Sequence, residues 1–362
     1  MFRGYAVLVM IQAHVSNATI SETLQKTTRF HYLDLWNGTI GPAFIFIAGF
    51  ALGLALERKW NDFLQFHKPL WLHIRRLLFV LALGYWLHLP VWSLRQMLHW
   101  PDHTYLQSDV LHLIAVSLLL AILFAELLRN KTAVMLWTAS LAITIVFTTV
   151  FVYERNAHAY FPAVIAAYFD RASLFPLFPW AAYSFLGTAL CLFYLKIRNT
   201  PAERTYFWIL AIGGVLMTAL AFALFYLPWQ YHAYTDVARE SPRSFMLRLG
   251  VVLFVFSLFW FYEQKWRPSV SVLNKVGQQS LMVYALHLMI VYGSPMFPTN
   301  ISKAIGRSLA FLPSFGISLG LIAVMVILGL GWHELKTRHK RISRVAFYGF
   351  WGFFLFHFLT QN

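Results

Sequence analysis

The sequence is poor in charged residues and has a single cysteine, and each scarcity excludes a class of protein. Only 12% of the 362 residues are charged, whereas 59% are hydrophobic, and the mean hydropathy is +0.60. Soluble globular domains carry about 25% charged residues, so the composition excludes an ordinary soluble protein. The single cysteine, Cys191, lies in an apolar segment. It excludes an internal disulfide framework or a cysteine metal cluster.

Acidic residues are scarce, and nucleotide-binding motifs are missing. The chain has 14 acidic and 29 basic residues, a formal net charge of +15. The basic residues lie in short connections between apolar runs, as membrane topology requires, so the charge does not indicate a nucleic-acid partner. The sequence has no Gly-rich nucleotide loop, zinc motif or Gly-x-Ser-x-Gly elbow, and we expect no bound metal.

Long apolar runs are what the sequence has in abundance. Eleven runs are long enough to cross an apolar layer about 30 Å thick, and lipid cannot satisfy their backbone groups unless they are helices. We therefore predict an all-α polytopic membrane protein, a bundle of about eleven transmembrane helices in a single domain, residues 1–362. Ten spans is the alternative, because the first and last runs are short and partly polar. The runs are 3–20, 38–56, 74–93, 107–128, 131–152, 176–197, 205–227, 244–263, 275–297, 308–332 and 343–360.

Lysine and arginine are distributed unequally between alternate connections. Nineteen of the 29 fall on the side that carries Arg3, so the positive-inside rule makes this side and the N-terminus cytoplasmic. After an odd number of spans the C-terminus lies outside. The first run could instead be a signal peptide, although Gln12, His14 and Asn17 interrupt it. We predict an integral protein of the bacterial inner (plasma) membrane.

The first apolar hairpin, residues 3–50, places polar groups where burial is costly. His14 follows Arg3 by eleven residues, which is about 16 Å along a helix axis and half of the apolar layer. An imidazole titrates near neutral pH, so His14 is a candidate general base for an attacking hydroxyl or amine, or a nucleophile that accepts an acyl group. The alternative is a core histidine that is hydrogen-bonded between helices.

Five stretches occur in the order of a known membrane-enzyme pattern. The first is Arg3 and His14 with ten residues between them; the others are Leu35–Phe50 (LWNGTIGPAFIFIAGF), Ser108–Val116 (SDVLHLIAV), Phe175–Gly187 (FPLFPWAAYSFLG) and Val276–His287 (VGQQSLMVYALH). Together they resemble the transmembrane acyltransferase superfamily. Within it they resemble the heparan-alpha-glucosaminide N-acetyltransferase branch, with an Arg-x10-His motif similar to that of acyltransferase-3 enzymes.

The resemblance implies an enzyme with acetyl-CoA as co-substrate, supplied from the cytoplasm. The acceptor would be a hydroxyl or amine of a carbohydrate or glycolipid on the outer face. In this branch the catalytic histidine lies in the first outer loop, shortly before a Trp-Asn-Gly. His31 precedes Trp36-Asn37-Gly38 here, in a stretch that we expect to be a polar loop, but its spacing departs from that of the family.

His31 is therefore the rival of His14 as catalytic base, and its alternative is a solvated loop residue. Asp34 would orient either histidine and stabilise its charged form, or it is simply solvated. Asn37 and Gly38 resemble a turn that precedes the second span.

Several polar residues near the outer half are candidates for substrate binding. Asp109 and His112 are three residues apart and share one helix face. Asp109 is then either a helix N-cap or a partner of His112 at the substrate. The resemblance puts Asp170 on the acceptor side, and Trp36 is a candidate for stacking on a sugar.

His287 completes a polar stripe in the ninth apolar run. It follows Ser280 and Tyr284 at helical spacing, and a polar stripe at this depth should face the bundle. We expect it to line a tunnel for the acyl donor, or else to bridge helices.

Four cations near the cytoplasmic side are candidates for binding the phosphates of coenzyme A. They are Arg3, Arg75, Arg76 and Lys275. Anchoring to anionic lipid is the alternative role.

The rival class is a transporter or lipid-handling protein that uses buried histidine and aspartate as a proton or substrate path. Such a protein would more often show an inverted repeat, and none is visible. The predicted function is thus a membrane acyltransferase with a carbohydrate acceptor, surrounded by the lipid bilayer, and a homodimer is compatible with the sequence.

Overall fold

Helices dominate the regular structure. A computed structural model describes residues 1–101, 104–226, 240–266, 271–294 and 298–360. Helices follow one another along these ranges, and an isolated parallel bridge joins Ile20 to Leu309. The prediction of an all-α polytopic fold is confirmed.

Eleven helices of 13 to 28 residues run through the described part of the chain. They are α1 (Phe2–Thr19), α2 (Ile40–Arg58), α3 (Lys68–Leu87), α4 (Val110–Leu128), α5 (Lys131–Tyr153), α6 (Leu177–Ile197), α7 (Ala202–Tyr226), α8 (Pro242–Trp266), α9 (Ser280–Tyr292), α10 (Phe311–Arg338) and α11 (Lys340–Thr360). Shorter helices lie at Glu22–Gln25, Thr28–Asn37, Trp60–Leu64, Leu94–Leu98, Ala163–Ala166, Val272–Gln278 and Ile301–Ile305, with 3₁₀ turns at Thr104–Leu106 and Ala157–Ala159. Each predicted apolar run overlaps one of the long helices, although the third run, 74–93, begins and ends later than α3.

Nine of the long helices are long and apolar enough to cross a bilayer, judged over the residues described. The predicted count of eleven spans is therefore not reached, because α1 and α9 are not among the nine. Polar residues such as Arg3, Gln12 and His14 interrupt the apolar character of α1. Gln279 separates α9 from Val272–Gln278. That leaves α9 with 13 residues, or about 20 Å of the roughly 30 Å that a span must cover.

The chain forms two compact units. The first contains Met1–Ile40, Trp86–Tyr105 and Pro268–Asn362, and the second contains Gly41–Tyr85 and Leu106–Arg267. A single domain over residues 1–362 stays a prediction.

In the first unit, α1 packs on α9, α10 and Val272–Gln278. Gly4 permits this packing, because a Cβ at that position would overlap the carbonyl group of Leu273. At the other end of α1, the hydroxyls of Thr19 and Ser314 lie 2.8 Å apart. Close backbone approach at one end and a hydrogen bond at the other fix the axial position of α1, and with it the depth of His14.

In the second unit, small residues bring helices together in the same way. A Cβ at Gly214 of α7 would lie 2.5 Å from the carbonyl oxygen of Gly250 in α8. Thr188 of α6 donates a hydrogen bond of 3.0 Å to the carbonyl oxygen of Gly49 in α2. Helices in lipid associate through such close packing and interhelical hydrogen bonds, since no hydrophobic force acts between them.

Candidate active site

Two histidines and a tyrosine meet where α1 contacts α9 in the first unit. The ring centroids of His14 and His287 are 5.3 Å apart, with the planes tilted by 41°. His14 Nδ1 lies 3.2 Å from the hydroxyl oxygen of Tyr292, and that hydroxyl donates to the carbonyl oxygen of His14 at 3.3 Å. The carbonyl can only accept, so in this arrangement Nδ1 is the protonated nitrogen of His14 and Nε2 is the acceptor.

His287 is held in the same tautomer by its own helix. Its Nδ1 lies 2.8 Å from the carbonyl oxygen of Val283, so Nδ1 is the donor and Nε2 carries the lone pair. His287 is 0% exposed, and its Nε2 has no hydrogen-bond partner among the described residues. The lone pair of a fixed, neutral imidazole can accept a hydrogen bond or a proton from a bound molecule.

The polar stripe predicted on α9 is present and buried. Ser280 and Tyr284 are almost fully buried with His287, and the ring of Tyr284 meets that of His287 edge to face at 5.6 Å. The hydroxyl of Ser280 has no hydrogen-bond partner within the described ranges. The stripe therefore faces protein, as expected for polar groups at membrane depth.

Tyr292 is a site residue that the sequence reasoning missed. It is the last residue of α9, and Gly293 follows it with a φ of 88°, a conformation that glycine adopts without steric cost. An aromatic residue at a helix end usually belongs to the interfacial belt, so nothing in the sequence indicated that Tyr292 contacts His14.

Polar and basic side chains cluster at the opposite end of α9. The side-chain oxygen of Gln279 accepts from Lys336 Nζ at 3.3 Å, and its nitrogen lies 3.4 Å from His333 Nδ1. Gly277 of the adjoining short helix would, with a Cβ, contact the backbone of Gly4, which brings α1 and its Arg3 to this end. Lys275 lies on the same short helix and is partly exposed.

The four predicted donor-binding cations are divided between the units. Arg3 and Lys275 belong to the first unit, whereas Arg75 and Arg76 belong to the second. Arg75 and Arg76 are exposed on α3. Lys336 was not predicted, because a lysine in the last turn of a long apolar helix is ordinarily a topology signal.

The stretch that contains His31 is helical, so the prediction of a polar loop is wrong there. The helix Thr28–Asn37 begins at Thr27, whose side chain accepts from the backbone N–H of Phe30. A capping threonine and a ten-residue run without proline or glycine explain the helix. His31, Asp34 and Trp36 are all exposed on it.

Asp34 makes no ion pair within the described residues. Asn37, in contrast, is 7% exposed, and both polar atoms of its side chain lack a hydrogen-bond partner in the described part of the chain. The sequence had indicated only a turn at this residue, because Asn-Gly is a common turn pair.

Asp109 and His112 together cap α4. The Asp109 carboxylate accepts from the backbone N–H of Val110 at 2.5 Å, and the backbone N–H of Asp109 donates to His112 Nδ1 at 3.1 Å. Both residues are buried. The N-cap interpretation of Asp109 is thus confirmed.

The ring of His112 also contacts Tyr85, with centroids 4.1 Å apart. The hydroxyls of Tyr85 and Tyr168 lie 3.0 Å apart. Burial, together with this hydrogen bond, raises the pKa of Tyr168 above its ordinary value, so its phenol stays neutral at physiological pH.

Asp170 is held by its own connection between α5 and α6. Its carboxylate accepts from the backbone N–H of Ala172 at 2.9 Å and lies 3.0 Å from His158 Nε2. His158 was not singled out by the sequence, because its distance from Asp170 along the chain fits no helical spacing. Both side chains remain partly exposed.

The helical fold is that of a polytopic membrane protein, and in its first unit two histidines and a tyrosine lie in contact. Residues 1–230 match the family described as heparan-alpha-glucosaminide N-acetyltransferase, catalytic, which is more than half of the 362-residue chain. The chain belongs to this family and is a membrane acetyltransferase. No curated protein and no solved structure matches it significantly.

The family match confirms the predicted branch of the acyltransferase superfamily. The Arg-x10-His motif stays a prediction. The matched residues end before α9, so His287 and Tyr292 lie outside them.

Proposed function

We propose that the protein transfers an acetyl group from cytoplasmic acetyl-CoA to a hydroxyl or amine of a carbohydrate or glycolipid on the outer face of a bacterial inner membrane. The observation that carries the proposal is the pairing of His14 with His287 and Tyr292. Family membership supports the reaction class.

His14 is the proposed general base. With Nδ1–H turned to Tyr292, its Nε2 takes the proton of the acceptor as the acceptor oxygen or nitrogen attacks the thioester carbonyl carbon. A new C–O or C–N bond forms, the C–S bond breaks, and coenzyme A leaves as the thiolate. The proton on His14 then passes to this thiolate or to solvent, so the imidazole is regenerated.

The proposed direction of transfer follows from charge. A nucleotide with several phosphates cannot enter lipid, whereas an acetyl group on an uncharged arm can reach into a polar path. The basic residues Arg3, Lys275 and Lys336 would hold the phosphates at the cytoplasmic end of the first unit. Arg75 and Arg76 are kept as further candidates for this role.

The other predicted residues have proposed roles at the acceptor. His31 is the rival base and Asp34 its proposed partner, and exposed Trp36 would stack on a sugar ring. Asp170 would bind an acceptor hydroxyl or amine through its partly exposed carboxylate. The pair Asp109 and His112 would line the acceptor side only in addition to their capping role.

The test is release of coenzyme A from acetyl-CoA by the purified protein in detergent, with a pool of amino sugars and glycans as acceptors. Wild type is compared with His14→Ala, His31→Ala and His67→Ala, since His67 is an exposed histidine outside the proposed site. We expect turnover by wild type, His31→Ala and His67→Ala, and at least a hundredfold loss in His14→Ala.

Loss in His31→Ala alone would transfer the role of base to His31. If wild type neither binds nor consumes acetyl-CoA, the donor assignment fails, and a transport function for the buried histidines takes its place.

A further inference from the structure

Two polar atoms on α9 are buried without a hydrogen-bond partner in the described part of the chain: the hydroxyl oxygen of Ser280 and Nε2 of His287. Both residues are 0% exposed. An unsatisfied polar atom withdrawn from water lowers stability, so each one in a native structure calls for an explanation, and a bound ligand is one. The two residues share one helix face and lie about 10 Å apart along the axis.

We propose that this face of α9 binds the pantetheine arm of the acyl donor. The proposal rests on acetyl-CoA being that donor. His287 Nε2 accepts a hydrogen bond from the amide N–H nearest the thioester, and the Ser280 hydroxyl bonds a polar group farther along the arm. His287 is then a donor-binding residue, and His14 beside it remains the base.

The order of groups along the first unit matches the order of groups along acetyl-CoA. Lys275, Gln279 and Lys336 lie at the end of α9 where Ser280 begins the helix. His14 lies at the other end, beside His287. The phosphates would thus lie at the cations, the arm along the polar stripe, and the thioester beside the proposed base.

The geometry argues against a purely structural role for the stripe. A histidine that bridges helices would direct a ring nitrogen to a group on another helix. His287 instead directs Nδ1 to the carbonyl oxygen of Val283, in its own helix. This bond fixes the tautomer and leaves the acceptor nitrogen available, which is the orientation needed to bind an amide N–H.

The test uses three acetyl donors that differ in length: acetyl-CoA, S-acetylpantetheine and S-acetyl-N-acetylcysteamine. The shortest donor keeps the amide nearest the thioester but lacks the rest of the arm. Michaelis constants are measured for wild type, Ser280→Ala and His287→Ala. The control is Ser318→Ala, which removes another buried serine hydroxyl of the first unit, one that donates to the carbonyl oxygen of Ser314.

We expect Ser280→Ala to raise KM roughly two- to tenfold for the two longer donors, because this factor corresponds to the free energy of one hydrogen bond. KM for the shortest donor should be unchanged. His287→Ala should raise KM for all three donors. His287→Gln, whose side-chain oxygen can still accept, should recover part of the loss. Ser318→Ala should leave every KM at the wild-type value.

A dependence on donor length is the result that a merely structural serine would not give. If wild type turns over acetyl-CoA but Ser280→Ala has the same effect on every donor, or none, the binding role of the stripe is overturned while the acetyltransferase function stands. If wild type turns over none of the donors, the proposed function fails, and the binding role fails with it.

Discussion

Replacement of Gly4 by alanine should destabilise the protein, because α1 and Val272–Gln278 touch backbone to backbone at this residue. A Cβ at Gly4 would overlap the carbonyl group of Leu273. No side-chain rotation can relieve a clash with backbone, so the two helices must separate. Overpacking of this kind costs about 1–3 kcal/mol, against a gain of about 1 kcal/mol from the higher helix propensity of alanine. We expect a net loss of up to about 2 kcal/mol.

The matched control is Gly320→Ala in α10, because a Cβ at Gly320 would meet nothing within 4 Å. Because no clash opposes it, the higher helix propensity of alanine should stabilise the Gly320→Ala variant by about 1 kcal/mol. Thermal unfolding of the two variants in the same detergent gives the comparison. An unfolding temperature of Gly4→Ala equal to or above that of Gly320→Ala would refute the close contact of α1 with Val272–Gln278.

The same substitution should also affect the donor. Gly4 lies next to Arg3, and the helix it touches carries Lys275. If these cations hold the phosphates of coenzyme A, separation of the two helices should raise KM for acetyl-CoA more than KM for S-acetyl-N-acetylcysteamine, which has no phosphate. An equal rise for both donors would show that the two cations do not bind the phosphates.

Substitutions at three further positions separate structural from functional roles. Ser280→Ala should raise the unfolding temperature of the donor-free protein, because it removes an unsatisfied buried hydroxyl that costs about 1–3 kcal/mol; a lower temperature would mean that the hydroxyl has a partner in the protein. Asp109→Ala should lose about 1 kcal/mol of stability with its helix cap, whereas Asp109→Asn should keep both the cap and the activity. Loss of activity in a stable Asp109→Asn variant would instead indicate a substrate role. Thr19→Val should cost about 0.6 kcal/mol in thermal unfolding, the average worth of a hydrogen bond between membrane helices, and no change would mean that the contact with Ser314 adds no stability.

The sequence predicted the helices well because the cost of burying backbone in lipid leaves few alternatives. Long apolar runs must be helical, and their ends are marked by charge. The same cost singled out His14 and His287 as polar residues within apolar runs that needed an explanation; His287 is buried and His14 is half-buried. Periodicity also placed Ser280, Tyr284 and His287 on one face of α9, as the structure has them.

Local composition was misleading at one short helix, and it did not indicate a helix break or a long-range contact. The stretch around His31 is polar and was predicted as a loop, yet a threonine cap makes it the helix Thr28–Asn37. The ninth apolar run predicts one span, but in the structure it forms two helices that are separated at Gln279. The contact between His14 and Tyr292 joins residues that are 278 positions apart, and no short-range pattern encodes such a contact.

The position of α9 in the chain determines how the site is built. The family match covers residues 1–230 and includes His14, but the groups that orient His14 come from a helix that begins at Ser280. A chain ending at residue 230 would keep the proposed base, His14, and lose Tyr292, His287 and the polar stripe. It would also lose α10, whose Ser314 holds the far end of α1. The last third of the chain therefore supplies both the side chains that contact the proposed base, His14, and the contact that holds the far end of α1.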